Sequence, residues 1–305
     1  MNWDSKKEVL TALLLGESFK NASDRLKDDK EMVLEVVKRY RDSLQYASPR
    51  LRDDEEVVLT AVKNDGEDLK YASERLRDNK KVVLEAMKLF GSYAIDSISD
   101  RLKDDNEVIM QVVKVNGLAL KEASNRLKND YEIAKEAVKS NGFALDYVSK
   151  DLQDNKNIVM EAVKNMGDSL QFASPRLKDD KEIILTSLKD YSSALWLASD
   201  RLKDDKEFML EAVKSNGWAL EFASPRLKDD KEVVLEAIKN DEFSVMFASD
   251  RLKNDRDIAD KCLSKDVMTY SYLGNEITEN SKKEVTKENP WESKISNDKD
   301  NQWER

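Results

Sequence analysis

The pattern of apolar and polar residues predicts short helices arranged in pairs. After Leu227, four apolar residues fall at positions i, i+1, i+4 and i+5 and so share one face of a helix: Val233, Val234, Ala237 and Ile238. Asp229 and Glu232 precede this face with the spacing of a capping box, in which the Asp side chain accepts a backbone N–H. The pattern therefore predicts a first helix of about 11 residues.

Each predicted first helix is followed by a stop signal and a shorter apolar pattern. Glycine tolerates the left-handed conformation in which many helices end, and seven glycines follow such helices: Gly16, Gly66, Gly91, Gly117, Gly142, Gly167 and Gly217. Leu220, Ala223 and Leu227 then continue at i, i+3 and i+7, the spacing of a second, shorter helix. Pro49, Pro175 and Pro225 each follow an Ala-Ser pair at the end of this pattern, where we expect proline to start the next connection and to discourage further helix.

The whole pattern repeats with a period of 25 residues. A marker leucine in the string Arg-Leu-Lys-Asp-Asp, or a variant of it, occurs ten times: Leu26, Leu51, Leu76, Leu102, Leu127, Leu152, Leu177, Leu202, Leu227 and Leu252. A fixed period of this size indicates structural repeats that bury their apolar faces against their neighbours. The sequence therefore predicts an all-α solenoid of about ten 25-residue helical-hairpin repeats.

The columns of the repeat fit this stacking. Ten residues after the marker leucine the side chain is small in most repeats, as at Ala212 and Ala237, and a large apolar residue follows it. Small side chains allow neighbouring helices to approach closely. Cys262 occupies this column, so we expect a buried structural thiol rather than a reactive one.

We assign residues 1–274 to the solenoid and residues 275–305 to a disordered polar tail. Residues 1–22 match a degenerate first repeat, and Asp260 replaces an apolar residue in the last one, as a polar capping face requires. The tail is rich in Glu, Lys, Asn and Ser. It has too few apolar residues to offset the entropy of ordering.

Composition narrows the class of protein further. The 305 residues carry a net charge of −10, which disfavours nucleic-acid binding through clustered Lys and Arg. No apolar run approaches the roughly 18 residues of a membrane helix, and no signal-peptide pattern is present. With a single cysteine as well, we expect a cytoplasmic protein, and secretion into a host cell without a signal stays open.

No motif in the chain indicates an enzyme. Histidine is absent, which removes the commonest general base and metal ligand. The aspartate pairs, such as Asp229 and Asp230, recur once per repeat at predicted helix starts, so capping explains them. We therefore expect no catalytic residue, no metal and no cofactor.

An arginine ladder precedes the marker leucines in nine of ten repeats, and Asp151 replaces it in the tenth. Such a ladder could hold a phosphate chain or an acidic peptide. The simpler interpretation is that each Arg bonds helix carbonyls or the aspartate pair of a neighbouring repeat.

The clearest functional signal is a break in two polar columns. Trp218 and Phe243 lie sixteen residues after the marker leucine, where several repeats have Asp, Glu or Ser. Trp196 and Met246 lie three residues further on, where Gln, Lys or Glu is usual. We name Trp196, Trp218, Phe243 and Met246 the apolar stripe and expect it to be exposed and to bind a partner. The alternative is that these side chains fold back onto a neighbouring repeat.

Other aromatic residues have separate interpretations. A regular aromatic column is expected in the core: Tyr46, Tyr71, Tyr147, Phe172, Phe222 and Phe247. Trp291 and Trp303 in the polar tail are candidate docking residues, because disordered segments are usually poor in aromatics.

The repeat resembles the tandem repeats of the domain of unknown function 4116. The resemblance rests on Leu-Lys-x-Asp followed by the Val and Ala-Val positions, Gly, and the Leu-x-x-Ala-Ser segment. Such repeats occur in bacterial, protist and large-virus proteins, some of which look like effectors. The resemblance implies helical repeats and a binding role, and it transfers no functional residue.

We therefore expect a non-enzymatic protein-interaction scaffold that binds a protein partner of unknown identity through an extended repeat surface. The alternative is an inhibitor or effector that blocks a host or rival protein by acidic mimicry of nucleic acid. Lysines interleaved with the aspartate pairs weaken this alternative. Direct nucleic-acid binding through the Arg ladder and a membrane role are both disfavoured.

Overall fold

The computed structural model describes residues 2–88, 91–189, 192–263, 267–275 and 277. The chain divides into two compact units, Met1–Ser174 and Pro175–Arg305. Within the described ranges all regular secondary structure is helical, and each unit is a stack of repeats. The predicted all-α class and solenoid architecture are thus confirmed. The predicted disordered tail lies outside the described residues, apart from Asn275 and Ile277.

Each repeat contains a long α-helix, a 3₁₀ segment and a one-turn helix. The long helices of the first unit are Lys6–Leu14, Lys30–Val37, Glu55–Asn64, Lys80–Met87, Asn106–Val115, Tyr131–Ser140 and Lys156–Asn165. Its 3₁₀ segments are Phe19–Asn21, Ser43–Tyr46, Gly66–Tyr71, Gly91–Ser97, Gly117–Glu122, Gly142–Asp146 and Gly167–Phe172. Its one-turn helices are Asp24–Lys27, Pro49–Arg52, Glu74–Arg77, Asp100–Lys103, Asn125–Lys128 and Lys150–Gln153.

The second unit follows the same order. Its long helices are Lys181–Ser187, Lys206–Ser215, Lys231–Asn240 and Arg256–Leu263. Its 3₁₀ segments after the long helices are Ser192–Leu197, Gly217–Phe222, Glu242–Phe247 and Val267–Tyr272. Its one-turn elements are the 3₁₀ turn Leu177–Asp179 and the α-helices Asp200–Lys203, Pro225–Lys228 and Asp250–Lys253.

The predicted second helix is therefore two elements, a 3₁₀ segment and a separate one-turn helix. Ser224 separates them, because its side chain accepts the backbone N–H of Leu227 and so starts a new helix. Pro225 occupies the first turn of that helix, as Pro49 does in its own repeat. The prediction that these prolines discourage helix was wrong for Pro49 and Pro225, since the N–H that proline lacks has no helical partner at that position. Pro175 lies in a turn, two residues before the 3₁₀ turn Leu177–Asp179.

The helix cap lies one residue later than predicted. Asp230, not Asp229, caps the helix Lys231–Asn240, and its carboxylate accepts the backbone N–H groups of Glu232 (3.0 Å) and Val233 (3.3 Å). Asp229 instead ends the preceding one-turn helix. The first aspartate of the pair thus ends the one-turn helix, and the second begins the long helix.

Apart from Gly16, the described glycines that follow long helices do not have the predicted left-handed conformation. Among the described glycines only Gly16 has a positive φ, of 90°. Gly142 and Gly217 instead begin 3₁₀ segments, where the next repeat's long helix passes close by. A Cβ atom on Gly217 would lie 2.8 Å from the carbonyl oxygen of Ala237. Glycine is required there because there is no room for a side chain.

The core follows the predicted columns. Val233, Val234, Ala237 and Ile238 are all fully buried, and their counterparts form the same layer in the other described repeats. Cys262 is buried, as predicted from its place in the small column. The long helices of consecutive repeats contact one another within each unit, as do the 3₁₀ segments. This leaves the outer side of the 3₁₀ segments available for contacts with other molecules.

Candidate functional site

The apolar stripe lies on three 3₁₀ segments of the second unit: Ser192–Leu197, Gly217–Phe222 and Glu242–Phe247. Each segment contacts the next one along the chain. In a 3₁₀ segment residues three apart lie one above the other, so the two broken columns face the same side. The four side chains differ, however, in how much of each is exposed.

Trp196 is the most exposed member of the stripe. Its side chain is 74% exposed, although Ala194 and Leu195 beside it are fully buried. The carbonyl oxygen of Trp196 accepts a hydrogen bond of 3.4 Å from the Lys203 side chain. The backbone is therefore anchored in the repeat while the indole ring extends into solvent.

Trp218 is partly exposed and also packs on the next repeat. Its indole N–H donates to a carboxylate oxygen of Asp241 at 2.8 Å. Its ring meets the ring of Phe247 edge to face, with 5.5 Å between the centroids. The 41% of Trp218 that remains exposed is thus held in a fixed orientation.

Phe243 and Met246 are half-buried. The Phe243 ring packs edge to face against Tyr272 at 6.1 Å, so it contacts the following repeat as Trp218 does. Met246 and Tyr272 line a surface cleft of about 690 Å³. Folding back onto a neighbour, the alternative considered from sequence, therefore describes Phe243 and much of Trp218.

The structure thus brings the stripe together but concentrates its exposed area on Trp196. The first unit has the same ring contact between repeats, since Phe143 packs edge to face against Phe172 at 6.0 Å. A role of the stripe in binding stays a prediction. Trp291 and Trp303, the other candidate residues, lie outside the described residues.

The regular aromatic column is not in the core, contrary to prediction. All six of its members are half-buried: Tyr46, Tyr71, Tyr147, Phe172, Phe222 and Phe247. Three of them, Tyr71, Phe172 and Phe247, contact side chains of the preceding repeat. For example, the Tyr71 hydroxyl donates to the Asp42 carboxylate at 3.1 Å. Their regular spacing reflects stacking at the surface rather than burial.

The arginine ladder joins neighbouring repeats. Arg226 Nε donates to Asp204 Oδ1 at 3.0 Å, and its Nη2 donates to the carbonyl oxygen of the same residue. The hydroxyl of Ser224 also donates to this carboxylate. These hydrogen bonds, first from Ser224 and then from Arg226, hold the pKa of Asp204 below its usual value. The same ion pair is formed by Arg25, Arg50, Arg75, Arg101, Arg126, Arg201 and Arg251.

A lysine ladder holds the second aspartate of each pair. Lys206 Nζ lies 2.7 Å from Asp230 Oδ2 and 2.9 Å from Glu232 Oε2 in the next repeat. Burial raises the pKa of Asp230. Hydrogen bonds from Lys206 and from the Val233 N–H together lower this pKa by more than burial raises it, so the net shift is downward. The same contact to the next cap is formed by Lys6, Lys30, Lys80, Lys181 and Lys231.

Both ladders therefore hold the repeats together. The prediction that each Arg bonds a neighbouring aspartate is confirmed for the eight arginines in these pairs. Arg and Asp side chains in the ladder remain about half exposed, so they reach solvent as neutralised pairs. A phosphate chain would have to compete with these pairs for each arginine.

Sequence reasoning missed an exposed apolar patch on the long helices of the first unit, in addition to Leu14 and Leu15, which are exposed at the end of its first helix. Val115 is 60% exposed and, with Leu84 and Met87, lines a cleft of about 610 Å³ between two long helices. The signal was available, because the same position is polar in most other repeats, as at Ser140 and Ser215. Applying the test for broken columns to the long helices would have found Val115.

Two further observations concern cofactors and membranes. In the described part of the chain, no three Asp, Glu or Cys side chains are arranged so that they could hold a metal ion. Among the helices described, none is both long and apolar enough to cross a membrane. The expected compartment stays a prediction.

Comparison with known proteins identifies the repeat. The sequence model of a family described as domain of unknown function (DUF4116) matches the chain seven times: at residues 7–52, 54–103, 105–153, 155–203, 181–228, 205–245 and 230–278. Together these matches cover most of the solenoid. No curated protein and no solved structure matches the chain. The matched segments therefore support the repeat architecture and assign no activity.

Proposed function

Because the chain belongs to the DUF4116 family of tandem repeats, we propose that it is a non-enzymatic scaffold that binds a protein partner. The proposed contact surface is the apolar stripe on the second unit, with Trp196 as its main anchor. Repeat proteins commonly bind partners through a surface formed by side chains from several consecutive repeats.

The exposure of Trp196 carries this proposal. A tryptophan side chain that is 74% exposed leaves a large apolar area in water, and the fold gains little from it. Tryptophan is among the residues that most often dominate the binding energy of protein interfaces. Since the buried side chains of Ala194, Leu195 and Ala198 anchor the backbone around Trp196, only the indole ring would lose conformational freedom on binding.

Trp218 supports the same surface in a second way. Its hydrogen bond to Asp241 and its contact with Phe247 fix the orientation of the exposed edge before any partner arrives. A preformed aromatic edge beside a protruding indole favours a partner with an apolar pocket. Phe243 and Met246 would then form the half-buried border of the contact.

The acidic-mimic alternative has less support. Mimicry of a phosphate strand needs free carboxylates, but the paired aspartates already accept hydrogen bonds from Ser, Arg and Lys of adjacent repeats. Asp204 bonds Ser224 and Arg226, for example, and Asp230 bonds Lys206. A net charge of −10 also disfavours direct nucleic-acid binding.

The test compares the full chain with Trp196→Ala as baits in nuclease-treated native lysate at low and high salt. We expect a partner that is retained at high salt by the natural chain and lost from the variant. With that partner purified, calorimetry should show affinity weakened by about 2 kcal/mol, roughly 30-fold. Val115→Ala is the matched control, because it truncates an exposed apolar residue of the first unit and should leave affinity unchanged.

Two results would contradict the proposal. One is a partner bound equally well by the natural chain and by folded Trp196→Ala. The other is a partner released by high salt alone, which would favour the acidic alternative. Trp218→Ala is less suitable as the primary test, because loss of its contact with Phe247 would also weaken the packing of the repeats.

A further inference from the structure

Asp68 is a charged residue at a position where other repeats have a small side chain. It lies in the 3₁₀ segment Gly66–Tyr71. Its counterparts are serine, alanine or threonine: Ser43, Ala94, Ala119, Ala144, Ser169, Ala194, Ala219, Ser244 and Thr269. Asp68 is only 1% exposed, and among the described residues no other charged side chain is buried. The carboxyl group of Asp68 therefore lies at a buried position where the other repeats have a small side chain.

The surroundings of Asp68 stabilise a negative charge only weakly. Neither of its carboxyl oxygens has a hydrogen-bond partner in good geometry within the described structure, and the backbone N–H of Asp42 is a donor that acts on them only weakly. Asp42 and Asp65 act on it as like charges, and Lys70 is the cation that acts against them. Lys70 is also shared, since its Nζ lies 3.3 Å from Asp42 Oδ1 and 3.7 Å from Glu67 Oε2.

Other charged groups near this segment are paired with other residues or exposed to solvent. Four elements pack against Gly66–Tyr71: Glu55–Asn64, Lys80–Met87, Ser43–Tyr46 and Gly91–Ser97. They and the loop of residues 38–42 carry these further titratable groups: Lys38, Arg39, Tyr40, Arg41, Tyr46, Glu55, Glu56, Lys63, Lys80, Lys81, Glu85, Tyr93 and Asp96. Arg41 lies 3.5 Å from Asp65, and Lys81 pairs with Glu55. Lys63 and Asp96 are exposed to solvent.

The protonation state of Asp68 follows from this environment. Burial, and then repulsion from Asp42 and Asp65, raise the pKa of its carboxyl from 3.8 to about 7. The nearby backbone of Asp42 and the charge of Lys70 reduce this rise only in part. A carboxyl whose pKa is raised by folding takes up a proton when the chain folds. Its contribution to stability is therefore greatest at low pH and is lost as pH rises from about 4 to about 7.

We propose that Asp68 makes the stacking of the 3₁₀ segments between residues 43 and 97 sensitive to pH. The neutral carboxyl fits the buried column, whereas the ionised carboxyl loosens this part of the first unit near neutral pH. The opening is local, because each repeat in a solenoid is held mainly by its two neighbours. The device does not depend on the binding surface proposed for the second unit.

The test measures amide hydrogen exchange of the full chain and of Asp68→Asn at several pH values. The Ser73 N–H is a suitable reporter, because it donates to the carbonyl oxygen of Arg52 in the preceding repeat. At each pH the intrinsic exchange rate of this amide is the same in the two proteins. The ratio of their measured exchange rates therefore reports only the effect of the Asp68 carboxyl. We expect the ratio of natural to variant exchange rates to rise about tenfold or more between pH 5.5 and 7.5.

A matched control and a direct titration keep the test decisive. Asp146→Asn removes an exposed carboxyl from another 3₁₀ segment and should leave the exchange ratio flat with pH. If Asp68→Asn does not fold, the carboxyl ¹³C shift of Asp68 in the natural chain gives its titration midpoint. A flat ratio for Asp68→Asn, or a midpoint near the ordinary value of 3.8, would overturn the proposal.

Discussion

At the scale of single residues, glycine is required for two different structural reasons in this chain. Gly16 has φ of 90°, and nothing lies within 4 Å of the place where a Cβ would be. Gly142 has no positive φ, but a Cβ there would lie 2.6 Å from the carbonyl oxygen of Ala162. Gly16 is needed for its backbone conformation, and Gly142 is needed because the next repeat is so close.

Gly142→Ala should therefore destabilise the first unit more than Gly16→Ala. The added methyl group must push apart two repeats, at a cost of about 2 kcal/mol. The same change at Gly16 introduces only left-handed strain, at a cost of about 1 kcal/mol. Urea unfolding monitored by circular dichroism measures both free energies of unfolding.

Asparagine at the same two positions separates the two causes. Asn tolerates the left-handed conformation, so Gly16→Asn should be more stable than Gly16→Ala. Gly142→Asn should be less stable than Gly142→Ala, because its larger side chain meets the same carbonyl oxygen. Equal stability of Gly142→Ala and the natural chain would mean that the repeats can separate without cost, contrary to the packing described.

At the scale of the element, the Arg–Asp pair between repeats can be checked within the sequence itself. The one repeat body that replaces arginine by Asp151 follows a repeat in which Asn129 replaces the first aspartate. The hydroxyl of Ser149 still donates to the Asn129 side chain. The same exchange recurs in the sequence at Asn254 and Glu276. The two partners change together because an unmatched charge would repel its neighbour.

Restoring the pair should stabilise the first unit. We expect Asn129→Asp alone to be destabilising, because it places a carboxylate opposite Asp151. Combined with Asp151→Arg, it should gain about 0.5–1 kcal/mol beyond the sum of the single changes, the usual range for exposed ion pairs. A double-mutant cycle in urea measures this coupling. The coupling should shrink in high salt, and additive effects would show that the pair contributes nothing.

The limits of prediction from sequence also appear at this scale. The period and the apolar positions such as Val233 and Ile238 were sufficient for the long helices and their stacking, because burial depends on spacing. The 3₁₀ segments were not predicted, since residues such as Leu220 and Ala223 have spacings that suit an α-helix equally well. Tertiary contact decides between them, through the close approach of the next helix at Gly217.

The candidate site was predicted in part for a related reason. A broken polar column correctly drew attention to Trp196, where the polar counterparts do report solvent. The same argument could not separate Trp196 from Phe243, because a ring in this column can pack against the next repeat. That contact depends on an aromatic partner one repeat further along, Tyr272 in this case. The buried Asp68 was also missed, because the comparison was not applied to its own column of small residues, which includes Ala194 and Ala219.

At the scale of the whole molecule, stability is a sum over contacts between consecutive repeats. Arg, Ser and Lys of one repeat bond the neighbouring repeat through side chains in fixed register, as at Asp204 and Asp230. The apolar faces of the long helices are likewise buried against the next repeat along the chain. A repeat can therefore be removed only if its two neighbours are then able to form the same contacts with each other.

Deletion of residues 206–230, one complete 25-residue period, should leave a folded protein. The cut joins Asp205 directly to Lys231, so the helix cap is retained, and Asp204 then faces Arg251 in place of Arg226. Deletion of residues 206–217 is the control, because it removes half a period and brings unlike elements together. Circular dichroism and urea unfolding should show a cooperative but less stable helical protein for the first deletion and loss of the second unit for the control. If both deletions unfold the second unit equally, its repeats are not interchangeable, and specific rather than periodic contacts hold it together.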